Sequence, residues 1–293
     1  MPLLAVLPPL AVVAYLVVTA EDPPPEPSAE DPPVVAEVPE APRDSIDADE
    51  PPVPPGLDPD TLMGGIERRG SLPDSIGVLL ERTLPGAEES IEEYLLWLPP
   101  GLERADREWP LLLYLHGRSL RGEDTARLLR YGLPRYLGEG RSIPFIVVAP
   151  QLRPPGGWTD VDRLAALLDE IEARYPVDED RIYVTGYSMG GGGTWRMAFA
   201  HADRLAAAAP FAATTPRPTP ERVRAVSGLP LLVYHGTADE VAPVGRVLDM
   251  VEALREAGAD VELELVEGAD HGDLTTVFGE PALYAWLLGH RRE

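Results

Sequence analysis

From about residue 62 onward the chain alternates short apolar runs with amphipathic stretches, separated by Gly, Pro and Asp. Continuous apolar runs of strand length occur at 109–117 (WPLLLYLHG), 143–150 (IPFIVVAP), 205–211 (LAAAAPF) and 229–236 (LPLLVYHG). A run with no polar face predicts a strand buried on both sides, as in a parallel sheet. Two more strands are predicted at 181–186 (RIYVTG) and 260–268 (DVELELVEG). In the latter, Glu262 and Glu264 alternate with apolar residues and mark a solvated face. Between these runs the period changes. Leu164, Leu167, Leu168 and Ile171 fall on one stripe of 161–175, the spacing of an amphipathic helix. Helices are also predicted just after Ser188, at 244–258 with Gly258 as the closing residue, and at 281–292. Upstream, 75–84 (SIGVLLERTL) and 91–101 (IEEYLLWLPPG) read as two antiparallel strands ended by Pro-Gly turns. An antiparallel start followed by strand–helix alternation predicts an α/β fold: an open, mostly parallel sheet of about eight strands with helices on both faces. Such sheets bind ligands beyond the carboxyl ends of their strands, so reactive side chains just after strands are the ones to weigh.

The first sixty residues follow no such pattern. Residues 2–20 are apolar and carry no basic residue, whereas 21–60 hold 13 prolines and 13 acids against the single Arg43. The apolar run is too short and too broken by Pro8 and Pro9 to predict a membrane span. With Val18-Thr19-Ala20 offering small residues at a cleavage site, residues 1–20 read as an export signal, or alternatively as an N-terminal anchor. An exported protein, in the periplasm, the cell envelope or the medium, is the expectation. Proline and like charge deny 21–60 regular structure, so this segment reads as a disordered acidic spacer ahead of a folded domain at 61–293. The acidic linker accounts for about half of the net charge of −24. A chain so negative is not drawn to nucleic acid or anionic lipid. It contains no lysine, which reflects either a coding bias or adaptation to high salt, and no cysteine. Disulfides, a lipid-modified cysteine and a thiol nucleophile are thereby excluded.

Candidate chemistry begins at 186–193, GYSMGGGG. Ser188 stands two residues after a predicted strand and immediately before a predicted helix, flanked by Gly186 and Gly190. A strand-to-helix elbow needs small residues on both sides of a nucleophile, and the helix start aims free N–H groups at the same spot. The competing reading is a Gly-rich turn with an incidental serine. Gly191–Gly193 have no catalytic reason and are expected to serve close helix packing. A serine hydroxyl needs a base, and in an elbow of this type an acid and then a histidine follow in the chain. His271, in the loop EGADHGD after a strand, is the candidate base; His201, His235 and His290 suit capping, core and surface positions better. Asp239, just past the strand at 229–236, is the candidate acid to hold the imidazole, with Glu240 as its nearest rival. Asp270 adjoins His271 and is poorly placed to reach its ring. For an oxyanion, the amide of Met189 supplies one donor and the amide of Arg118, after His116-Gly117, the second. Arg118 or Arg121 could instead meet an anionic substrate through the side chain, or simply be solvated.

These segments, in order across 93–273 and roughly three-fifths of the chain, resemble the α/β-hydrolase superfamily. Within it, the chain is similar to polyhydroxybutyrate-depolymerase-like and phospholipase/carboxylesterase-type esterases. The resemblance implies ester hydrolysis through an acyl-enzyme, without metal or organic cofactor, with Ser188, Asp239 and His271 as the triad and the loop at His116 as the oxyanion loop. It implies a small-molecule or oligomeric ester as the partner; with no long insertion between the last strands to form a large lid, small or medium acyl groups are expected. One departure narrows the expected acyl site: where relatives carry an HGAGERG-like loop, this chain reads HGRSLRGED, so the bulkier Arg118 and Ser119 replace Ala-Gly. His116 and Trp158 are the expected pocket residues, with an exposed loop position the alternative for the tryptophan. Two other functions compete. One is a serine peptidase of prolyl-oligopeptidase-like type, whose relatives carry a propeller domain not seen here. The other is a catalytically silent binding protein displayed on the Pro-rich stalk.

Overall fold

The computed structural model describes the backbone of Ile66–Arg68 and residues 77, 79–84, 91, 93–102 and 107–293. The predicted export segment and acidic linker lie outside the described residues.

Among the described residues, nine strands form one sheet in the order β1-β2-β3-β5-β4-β6-β7-β8-β9. They are β1 (Ile66–Arg68), β2 (Leu79–Thr83), β3 (Glu93–Trp97), β4 (Trp109–Leu115), β5 (Ile146–Pro150), β6 (Val177–Tyr187), β7 (Ala207–Phe211), β8 (Leu231–Gly236) and β9 (Val261–Val266). All eight predicted strands are present, and β1 is added; three residues are too few to show a period. The pairs β2–β3 and β3–β5 are antiparallel, and every other pair is parallel. Strand β6 starts four residues ahead of the predicted run, because Val177 pairs with Trp109 before a register shift that precedes Leu111.

Among the described residues, six α-helices accompany the sheet: α1 (Leu133–Gly138), α2 (Val161–Arg174), α3 (Met189–His201), α4 (Pro220–Ala225), α5 (Gly245–Glu256) and α6 (Pro281–Leu288). The six-residue α1 and α4 escape the sequence pattern because one and a half turns cannot display a stripe. Both open on a proline in the first turn, where its missing N–H is not needed. Helix α5 closes as predicted, with Gly258 at φ +76° just past its end.

Strand β4 shows why its run is apolar throughout. Leu111, Leu113 and Leu115 face one layer, formed with Leu164, Leu167, Leu168 and Ile171 of α2, Trp195 and Met197 of α3, and Val247, Met250 and Leu254 of α5. Leu112 and Tyr114 face the other, with Leu133 and Leu137 of α1 and Leu283 and Leu287 of α6. All seven residues of β4 are buried. At about 1.5–3 kcal/mol for each large apolar side chain removed from water, this strand anchors both layers. Strands β4, β6, β7 and β8 end on the same edge of the sheet, and the candidate catalytic residues follow those ends. Among the described residues, no helix is long and apolar enough to cross a membrane.

Candidate active site

Ser188 occupies the step between β6 and α3 with φ 56° and ψ −117°. That left-handed φ is strained for any residue with a Cβ. The surroundings enforce it: the Ser188 N–H donates to Phe211 O at 2.9 Å, and Ser188 O accepts from Gly192 N–H at 3.0 Å. A Cβ on Gly186 would lie 2.6 Å from Leu115 O, and one on Gly190 only 1.8 Å from the same oxygen. Only glycine lets the elbow close against the end of β4.

The base and the acid reach the serine from two later loops. Asp239 Oδ2 accepts a hydrogen bond from His271 Nδ1 at 2.7 Å, which puts the proton on Nδ1 and leaves Nε2 as an acceptor. Ser188 Oγ then donates to His271 Nε2 at 2.8 Å. The other carboxylate oxygen of Asp239 accepts from Val241 N–H at 3.0 Å and Ala242 N–H at 2.8 Å. Asp239 and His271 are both buried. The two loops are stitched together: Ala238 N–H donates to Ala269 O at 3.1 Å, and a Cβ on Gly236 would lie 2.3 Å from that same oxygen. Asp270 is not part of this chain of bonds. Its Oδ1 accepts from Gly272 N–H at 2.8 Å and Asp273 N–H at 3.1 Å, shaping the turn that carries His271.

Two neighbours of the relay were not expected there from sequence, although His235 was read as the core residue that it is. Tyr187 is buried, its hydroxyl donates to His271 O at 2.8 Å, and its ring centroid lies 5.1 Å from that of His271. Adjacent to the nucleophile, it falls in the sequence between the predicted strand at 181–186 and Ser188, where no pattern marks it. His235 has its Nε2 2.6 Å from Ala242 O and 3.6 Å from Asp239 Oδ2. Burial lowers its pKa, so it donates to Ala242 O as a neutral ring and leaves the Asp239 charge to His271. The other histidines after Ser188 are engaged elsewhere: His201 beside Asp162, and His290 at 2.9 Å from Trp286 O.

Met189 is the first residue of α3, and Arg118 opens a single 3-10 turn, Arg118–Leu120, behind Gly117. Within the described residues neither amide donates to a protein acceptor. The elbow and this loop meet backbone to backbone, since the Cβ position of Gly190 also falls 2.9 Å from His116 O. The Arg118 side chain is exposed. Arg121 is used structurally: its guanidinium donates to Pro155 O at 2.8 Å and to Gly156 O at 3.0 Å.

His116 and Trp158, the expected pocket residues, are 0% and 1% exposed and have no surface to offer a substrate. They brace the oxyanion loop from beneath. Trp158 Nε1 donates to His116 O at 2.9 Å, and Leu152 N–H donates to His116 Nε2 at 3.1 Å. Nδ1 therefore carries the proton and donates to Gly117 O at 2.7 Å. In a trans peptide the carbonyl and the following N–H point opposite ways, so holding Gly117 O turns the Arg118 N–H away from His116. Burial drives the His116 pKa down to about 4, which keeps this tautomer in place at neutral pH.

Fold and site together define an α/β hydrolase with a serine, a histidine and an aspartate linked at the carboxyl edge of its sheet. Residues 157–276, which carry all three, match the Dienelactone hydrolase family. The chain is 32% identical over 161 residues to a protein of Nocardia uniformis subsp. tsuyamanensis named "Putative esterase NocK", covering 51% of this chain and 46% of that protein. It thus spans about half the length of the curated relative it matches. A solved thermostable esterase superposes with a TM-score of 0.63 at 27% identity, covering 73% of this chain and 63% of the other. A fluorophosphonate-binding serine hydrolase, FphF of Staphylococcus aureus, gives a TM-score of 0.54 at 18% identity, over 72% and 97% of the two chains. The fold is that of the α/β hydrolases.

Proposed function

We propose that the protein is a serine carboxylic-ester hydrolase that works through an acyl-enzyme on small or medium soluble esters or ester oligomers. The observation that carries this reading is the unbroken relay from Ser188 Oγ through His271 to Asp239, with contacts of 2.8 and 2.7 Å. Ser188 Oγ attacks the ester carbonyl carbon as its proton passes to His271 Nε2. Asp239 holds the imidazole in the required tautomer and stabilises the imidazolium. The amides of Met189 and Arg118 receive the charge that develops on the carbonyl oxygen; a donor of this kind contributes about 10²–10³ in kcat. The tetrahedral adduct collapses, the alcohol leaves with the proton from His271 Nε2, and the acyl group stays on Ser188. A water molecule then repeats the sequence and frees the acid. Every step uses side chains, backbone amides and water.

The esterase names borne by NocK and by the solved thermostable structure support this substrate chemistry. The apolar run at 2–20, ending in Val18-Thr19-Ala20, supports export, with that segment as a cleaved signal or a tether. A fluorophosphonate probe tests the nucleophile, with labelling of the intact protein and none of Ser188→Ala expected. Turnover of p-nitrophenyl esters should fall at least about 10³-fold in the same variant. Equal labelling of both proteins would remove Ser188 from the mechanism. Cleavage of peptide amides as fast as esters would instead make the protein a peptidase.

A further inference from the structure

Gly117 precedes the oxyanion donor Arg118 with an ordinary extended backbone, φ −72° and ψ 170°, which any residue can adopt. Its neighbours, rather than its conformation, require a glycine. A Cβ at this position would lie 2.7 Å from the hydroxyl of Tyr131 and 3.2 Å from Cδ1 of Tyr187. Two tyrosines therefore press on the residue that leads into Arg118. On the far side of Arg118, Ser119 Oγ is hydrogen-bonded to the same Tyr131 hydroxyl at 2.7 Å. One hydroxyl thus meets both neighbours of the oxyanion donor.

Tyr131 is itself held in place. It is buried, and its ring meets the ring of Tyr187 edge-on, with centroids 5.7 Å apart and planes at 80°. The next residue, Gly132, turns with φ 74°, and the hydroxyl of Tyr114 from β4 fills the space a Cβ would need. The turn that carries Tyr131 is therefore seated on the sheet. Tyr187 in turn donates to His271 O at 2.8 Å. The other bonds to the loop grip carbonyl oxygens: His116 holds Gly117 O, Arg127 donates to Ser119 O at 2.9 Å, and Gln151 donates to Leu120 O at 2.7 Å. Ser119 stands where the resembled HGAGERG-like loop has glycine, a residue with no hydroxyl to offer. The departure that was expected to narrow the acyl site makes a bond inside the loop.

We propose that Tyr131 is a positioning residue for the Arg118 amide. Its hydroxyl, bonded to Ser119 and set against Gly117, fixes the peptide between them in the orientation that meets the oxyanion. Tyr187 backs Tyr131 and carries the carbonyl of His271, so two rings keep the oxyanion loop and the base loop in register. This rests on the serine-esterase reading above and assigns two further residues, Tyr131 and Ser119, to its oxyanion hole. A misplacement of about 1 Å in such a site can cost about 10²-fold in rate.

Tyr131→Phe keeps the ring and removes the bond, and Ser119→Ala removes it from the other side. Each should lower kcat for p-nitrophenyl esters by about tenfold to a hundredfold, with KM within about twofold of the wild type. Ser119 is half-buried in a loop, so its variant serves even where Tyr131→Phe is unstable. The double variant should lose no more than about twofold beyond the worse single one, because both changes delete one bond. Ser119→Thr keeps the hydroxyl and should retain most of the activity. Phenylboronic acid, which bonds to Ser188 Oγ and places an oxygen in the oxyanion hole, should bind more weakly by the factor lost in kcat. Tyr136→Phe, in α1, should change none of these. An unchanged kcat in Tyr131→Phe, or losses that multiply in the double variant, would overturn the assignment. A lower kcat with boronate affinity intact would also overturn it, since that marks a packing role. The fluorophosphonate probe separates this from failure of the esterase reading. If the wild type is labelled at Ser188 but turns over no ester, the esterase reading falls. Labelling at least about tenfold slower in Tyr131→Phe would then keep Tyr131 as a positioning residue, because the phosphonyl oxygen uses the same donors. Equal labelling rates would overturn it, and a wild type neither labelled nor active would overturn both.

Discussion

At the scale of single residues, the elbow concentrates constraint on a few positions. Ser188 keeps a left-handed φ because its N–H is held by Phe211 O while Gly186 and Gly190 press on Leu115 O. The glycines should therefore separate sharply on substitution. Gly190→Ala places a Cβ 1.8 Å from a carbonyl oxygen and should cost at least about 3 kcal/mol or abolish folding. Gly192→Ala meets only the end of an exposed arginine, and should equal the wild type or gain up to about 1 kcal/mol from helix propensity. Urea midpoints of the two variants check this order, and a loss at Gly192 as large as that at Gly190 would refute it. Asp239→Asn keeps the shape but presents an amide to His271 Nδ1, which favours the tautomer with its proton on Nε2. Ester turnover should fall about 10³–10⁴-fold with the circular dichroism spectrum unchanged.

At the scale of elements, the loop after β4 is held by one buried histidine. His116 takes a proton near pH 4 in the folded protein, against an ordinary value of 6.5. Between those values the unfolded chain binds a proton that the folded chain refuses, so stability rises with pH across the window. The contribution is complete above about pH 6.5 and drains as the pH falls toward 4, by up to about 3 kcal/mol. His235, also pushed down by burial, adds in the same direction. In His116→Gln, the amide can both accept from Leu152 N–H and donate to Gly117 O without titrating. Its unfolding free energy should decline less steeply between pH 7 and 4.5 than that of the wild type, as measured by urea titration at each pH. Parallel curves would show that His116 does not titrate in this way.

At the scale of the whole molecule, charge dominates. About half of the net −24 falls on residues 61–293, and that excess makes the folded domain repel itself. Raising sodium chloride from about 0.02 to 0.5 M shortens the screening length from roughly 20 Å to about 4 Å and should raise the melting temperature. A flat or falling melting temperature in calorimetry would mean that ion pairs such as Arg204 with Asp169 and Glu172 outweigh the repulsion. Against this background, the pocket at Gly192, lined by Arg196, Arg222 and Arg246 and by no acidic residue, is a local reversal of sign.

The order of elements and the relay residues were legible in the chain because both follow from local patterns. A strand buried on two faces must be apolar throughout, a helix packed on one face must show a stripe, and an elbow between them must carry glycine. Ser188, Asp239 and His271 were candidates because each follows the end of a strand, and the structure brings them into one chain of hydrogen bonds. Trp158 and His116 could not be placed the same way. Whether an aromatic ring lines a pocket or sits beneath a loop depends on what packs over it, and Trp158 is covered by Gly193 and His116, residues distant from it in the chain. The gathering of Arg196, Arg222 and Arg246 depends on three helices meeting beside one edge of the sheet. The sequence by itself determined which side chains stand at strand ends, since backbone periodicity and turn chemistry act over a few residues. Only the tertiary structure decided which of them share a pocket, because contacts between distant segments are set by how the layers pack.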